Sequence, residues 1–166
     1  MSGARTRLTR LLAELQREHR ALALLSSELA RLAPSLAAPE PDRRDLGLVA
    51  IDLHHYYTAV ETAFERVARL LDEDVPSGPD SHRQLIDQMA LEIPGLRDAL
   101  IDTALRDWLQ ELRRFRHFFR NAYCVELDPS ELGRHVAKLL ANAPAFIAAL
   151  DRFAAWLAAA RDLPPE

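Results

Sequence analysis

Residues 4–33 read ARTRLTRLLAELQREHRALALLSSELARLA, and their leucines decide the class of fold. Leu8, Leu11, Leu12, Leu15, Leu22, Leu25, Leu29 and Leu32 recur at spacings built from three and four, with Arg and Glu between them. Such spacings put apolar side chains on one stripe of a helix, so the stretch predicts a long amphipathic helix whose leucine face must be covered by other helices.

Working outward, Pro34, Pro39 and Pro41 predict a helix-incompatible connector over 34–42, and Asp42 stands where the N-cap of a second helix should be. That helix, RRDLGLVAIDLHHYYTAVETAFERVARLLD, is expected to reach about Leu71. VPSGPD is a turn, and Ser81 with Gln84 predicts a capping box for a short third helix, SHRQLIDQMALEI, ended by Pro94-Gly95. The period resumes at Leu96, with a break expected near Asp102, and continues to Tyr123. Asp128 as N-cap, Pro129 at the first helical position and Glu131 start the last helix. Pro144 is expected to kink or split it, leaving AFIAALDRFAAWLAAA as a further amphipathic piece. The expectation is an all-α antiparallel bundle of four to five helices in a single domain, 1–166. It divides into an N-terminal helix (1–33), the proline-rich connector (34–42) and a bundle body (43–161).

Composition agrees. The 166 residues include 49% apolar and 28% charged side chains, only 5 Gly, and few Val, Ile or Thr, which disfavours a β-sandwich or barrel. Gly3, Gly47, Gly78, Gly95 and Gly133 are scattered and form no phosphate-binding loop. The single Cys124 excludes an internal disulfide and any CxxC metal or redox pair, which suits a reducing compartment. MSGARTRLTRLL runs straight into the charged ELQREHR, and no uninterrupted apolar stretch approaches the ~20 residues of a membrane span. A cytoplasmic location without membrane association is therefore expected. The net charge of −4 argues against wholesale coating of nucleic acid, yet Lys138 is the only lysine among 21 basic residues, so the placement of the arginines matters more than the sum.

That placement is uneven. Residues 113–120, RRFRHFFR, hold four Arg and one His without an acid. At helical spacing Arg113, Arg116, His117, Arg120 and Tyr123 fall within an arc of about 120°, opposite Phe115, Phe118, Phe119 and Ala122. One face is cationic and suits a phosphate-bearing ligand through bidentate guanidinium contacts; a solvated face paired with acids elsewhere has the same pattern. Other candidates are thinner. Asp52-x-x-His55 lacks the Glu-x-x-His motifs that a di-iron bundle requires, so His54 and His55 are expected at a helix interface and no metal or cofactor is expected. His19, His82 and His135 stand singly and are expected on the surface. Neither Ser26-Ser27 nor Cys124 has an activating base at a suitable spacing, and Trp108 and Trp156 read as core anchors.

Arg116-His-Phe-Phe-Arg-Asn-Ala-Tyr123 resembles the signature of the HEPN superfamily, specifically of HepT-like toxins: Arg, a polar residue, spacers, His, one residue, Tyr. HHYYTAVETAFERVARLLDEDVPSGPDSHRQLIDQMALEIPGLRDAL, the LRRFRHFFRNAY helix and the ELDPSEL turn resemble the body of that family, over about Asp42 to Leu140. The resemblance implies a helical bundle that homodimerises with its motif helices face to face, forming a metal-independent ribonuclease site in the cleft. It also implies a minimal nucleotidyltransferase antitoxin as partner. Carried over residue by residue, Arg116 binds the scissile phosphate, His117 fills the polar position and Tyr123 is the acceptor for AMP from the partner enzyme; Arg113 and Arg120, on the same cationic face, are expected to add phosphate contacts. Asn121 stands where the family has its motif His. Asparagine does not titrate, so cleavage is expected to be weakened unless His117, four residues earlier, takes over proton transfer.

Two other readings accompany the ribonuclease. One is a catalytically inactive module whose arginine face binds RNA, a nucleotide or the nucleotidyltransferase, which Asn121 favours. The other is a helical interaction protein with a salt-bridged face.

Overall fold

A computed structural model describes the backbone of residues 2–121 and 127–162 and the side chains of residues 3–116 and 127–162. Five α-helices follow one another: α1 (Ser2–Leu32), α2 (Arg43–Val67), α3 (Ser81–Met89), α4 (Thr103–Asn121) and α5 (Pro129–Asp162). Among the described residues there is no strand, so the architecture is an all-α bundle. The leucine stripe of α1 behaves as its spacing requires: Leu11, Leu12, Leu15, Leu22, Leu29 and Leu32 are buried, and α1 packs along both α2 and α5.

The connector departs from expectation. Ala33–Ala37 forms a 3-10 turn with Pro34 in its first positions, where the missing N–H would have no helical acceptor. Asp42 then caps α2, accepting the Arg44 N–H at 2.8 Å. The end of α2 widens into one π turn, Ala68–Asp72, closed by Glu73 in the left-handed region at φ 53°.

Asp72 anchors a buried ion pair. Arg97 donates from Nε to Asp72 Oδ1 and from Nη2 to Asp72 Oδ2, both at 2.7 Å, with side chains only 0% and 3% exposed. Its remaining donors reach the carbonyls of Gln88, Leu91 and Asp98. A buried guanidinium is tolerated here because every edge of it is hydrogen-bonded. The turn at Pro94-Gly95 aims it inward. Leu96 N–H reaches Ile93 O at 2.9 Å, and Gly95 adopts φ 78°, a conformation that side chains disfavour.

Three local expectations need correction. Ser81 is already helical, Asp80 holds the cap position without a side-chain bond, and the Ser81–Gln84 capping box is absent. The third helix also stops at Met89, ahead of Pro94. The period expected from Leu96 is not helical over 96–102; helix begins only with α4, just after the expected break, where Asp102 Oδ1 accepts the Leu105 N–H at 2.9 Å.

Most notably, Pro144 does not split the last helix, which runs unbroken over 34 residues. An interior proline costs about 3 kcal/mol. Against that stand Leu139, Ala143, Phe146, Ala149 and Leu150, all buried on both sides of it. Each large apolar side chain contributes roughly 1.5–3 kcal/mol on burial, so packing outweighs the local penalty. By length and composition α5 is also apolar enough to cross a membrane; in this bundle its apolar side chains join the core.

The centre is aromatic. Trp108 of α4 meets Tyr56 of α2 and Phe146 of α5 edge to face, with centroids 6.1 and 6.3 Å apart, and Phe64 completes the group 6.0 Å from Phe146. These rings orient α2, α4 and α5 about one point. Trp108 is the core anchor expected, whereas Trp156 is only partly buried and stacks on Phe153.

Candidate functional site

On α2, Tyr57, Glu61 and Phe64 share one face at spacings of four and three, so an acid is placed among core residues. Glu61 is 8% exposed. An ionised carboxylate at that depth requires partners, and three converge on it. His82, at the start of α3, contacts Glu61 Oε1 through Nδ1. The Tyr57 hydroxyl donates to the same oxygen at 3.4 Å. Arg116, on α4, brings Nη2 to 3.6 Å from Glu61 Oε2.

Arg116 is therefore not on a solvated stripe. Its side chain is 13% exposed, and its guanidinium lies over the Tyr57 ring, 5.3 Å from the centroid. Its Nε is buried and has no hydrogen-bond partner among the described residues. The Tyr57 phenol is pushed up from its usual range, first by burial and then by the neighbouring Glu61 carboxylate, so it serves as a neutral donor.

Beside this cluster an open groove of about 480 Å³ runs between α3 and α4, lined by Arg83, Arg106, Arg113 and Arg114 with Asp87, Asp107 and Gln110. Four guanidinium groups face two carboxylates, leaving the groove cationic on a chain whose net charge is −4. Gln110 organises it. Its Nε2 donates to Arg83 O at 3.0 Å and Asp87 Oδ1 at 3.1 Å, while its Oε1 accepts from Arg113 Nε at 2.9 Å.

The candidate residues thus divide. Arg113 lines the groove, whereas Arg116, one turn further along α4, pairs with Glu61. His117, Arg120 and Asn121 continue α4, but their side chains lie outside the described residues, as does Tyr123 altogether. Phe115 is buried on the opposite side, its ring tilted 42° against His135 with centroids 4.5 Å apart. His135 is half-buried against that ring and not fully on the surface, and burial lowers its imidazole below the usual value. His82 stays partly exposed, as expected, but engages the buried Glu61. Among the described residues no group of three or more His, Cys, Asp and Glu side chains could hold a metal ion.

The sequence profile of HepT-like proteins matches residues 48–157, which takes in α3, α4, most of α2 and all but the end of α5. The chain belongs to the HepT-like family. No curated protein and no solved structure matches it. Within this HepT-like chain Arg116 is the described residue of the resemblance motif, and Glu61, Tyr57 and His82 are the partners that reading by motif did not supply. One signal for them was present in the sequence: Glu61 interrupts the apolar face of AVETAF, and an acid on a core face implies a cation opposite it.

Proposed function

We propose that this HepT-like protein is a metal-independent endoribonuclease and the toxin of a toxin–antitoxin pair, acting in the cleft of a homodimer. The observation that carries this reading is the state of Arg116. Glu61 and Tyr57 hold the guanidinium in place, and Arg113, one turn earlier on α4, lines the arginine-rich groove. A guanidinium so positioned suits the scissile phosphate, whose charge increases as the 2′-oxygen attacks. Arg113 and Arg83 suit flanking phosphates. The partner in this reading is a minimal nucleotidyltransferase that silences the toxin by adding AMP to Tyr123. Asn121 favours the second reading, a module that binds RNA or the partner without cutting, because it provides no titrating group where the family has its motif His.

Incubating purified protein with labelled RNA in chelator-containing buffer separates the two. The ribonuclease reading expects cleavage that Arg116→Ala abolishes, and that stops when the nucleotidyltransferase and ATP add the mass of AMP at Tyr123. RNA bound but left intact overturns it in favour of the binding module.

A further inference from the structure

His82 was expected to be a surface residue, yet it is the best-placed acid–base group among the described residues near Arg116. Glu61 holds its Nδ1, and the side chain is 42% exposed. With Nδ1–H donated to the carboxylate, the Nε2 lone pair is the acceptor left for a ligand, and Nε2 makes no hydrogen bond among the described residues. A carboxylate behind an imidazole fixes its tautomer and orientation and stabilises the cation formed when it takes a proton. Arg116 lies on the other oxygen of the same carboxylate, so one buried acid sets both a proton acceptor and a phosphate binder. Arg83, next to His82 in the chain, lines the cationic groove between α3 and α4, so His82 and a phosphate-attracting surface belong to the same turn of α3.

We infer that His82 is the general base of the ribonuclease proposed above, oriented by Glu61 and supplying the chemistry that Asn121 does not; the inference rests on that reading. In the step, His82 Nε2 takes the proton of the 2′-hydroxyl as the O2′–P bond forms. The P–O5′ bond breaks, O5′ takes a proton from water, and the hydroxide left behind recovers the proton from the imidazolium. The products are a 2′,3′-cyclic phosphate and a 5′-hydroxyl. Arg116 neutralises the charge on the phosphoryl oxygens throughout. Glu61 is a positioning residue, since it acts through His82 and Arg116.

The test compares the full-length wild type with His82→Ala, His82→Gln and Arg116→Ala on labelled RNA in chelator-containing buffer. Both His82 variants are expected to lose roughly a hundredfold to ten-thousandfold in kcat with RNA affinity retained. Added imidazole is expected to restore cleavage by His82→Ala and not by Arg116→Ala, which a structural role for His82 would not produce. His82→Gln preserves a hydrogen-bond donor toward Glu61 and reads the same rate if His82→Ala does not fold. Cutting by wild type and by the His82 variants at equal rates overturns the inference and leaves the ribonuclease standing. A loss that imidazole does not relieve in a folded His82→Ala protein also overturns it. A wild type that leaves RNA intact overturns the ribonuclease reading, and this inference with it.

Discussion

Glu61 shows how one side chain couples packing to a site. Glu61→Ala strips the Arg116 guanidinium of its carboxylate in a position only 13% exposed, and removes the acceptor of His82 and Tyr57. Breaking a buried pair from one side costs ~3–5 kcal/mol, because the remaining charge stays desolvated. Tyr57→Phe deletes only a 3.4 Å hydrogen bond and keeps the ring under Arg116, so about 0.5–1.5 kcal/mol is expected. Urea denaturation of the two variants checks the ordering, and equal losses would show that Glu61 does not hold Arg116. At this scale the sequence marked Arg116 and Arg113, which lie on one arginine-rich helix. It could not pair Arg116 with Glu61, because that contact joins turns of two helices far apart in the chain.

Among the elements, the junction of α2, α3 and α4 depends on the Arg97–Asp72 pair. The π turn presents Asp72, the Pro94-Gly95 turn presents Arg97, and Gln88 of α3 donates to Asp72 Oδ2 at 2.7 Å. This arrangement fixes α3, and therefore His82, against α2. Arg97→Ala is expected to destabilise the fold by ~3–5 kcal/mol and to lower the melting temperature, measured by circular dichroism. An unchanged melting curve would mean that solvent already satisfies Asp72. The helices themselves were legible wherever a local rule decided them: the leucine period of α1, Asp42 at the start of α2, and Asp128, whose Oδ1 accepts the Ser130 N–H at 2.8 Å, at the start of α5. Local rules misled at Pro144 and Ser81. The proline penalty is a property of an isolated helix, and a buried face on both sides of it reverses the balance.

For the whole molecule, a net charge of −4 coexists with a cationic groove because α3 and α4 bring arginines from separate segments to one surface. A homodimer cleft would place two such surfaces together and raise the local potential. Light scattering is expected to give twice the 18.7 kDa chain mass at concentrations where RNA is cut. A monomer that cuts RNA would remove the dimer cleft from the mechanism. The class of fold needed only the sequence, since helical period, scarce glycine and N-cap residues act between neighbours and survive in any tertiary context. The arginine-rich stretch at 113–120 was legible for the same reason. Only tertiary packing decided that Arg116 turns inward onto Glu61, that His82 shares that carboxylate, and that Arg97 is buried. Each depends on how helices rotate and dock to bury a common core, and no spacing within one segment encodes that rotation.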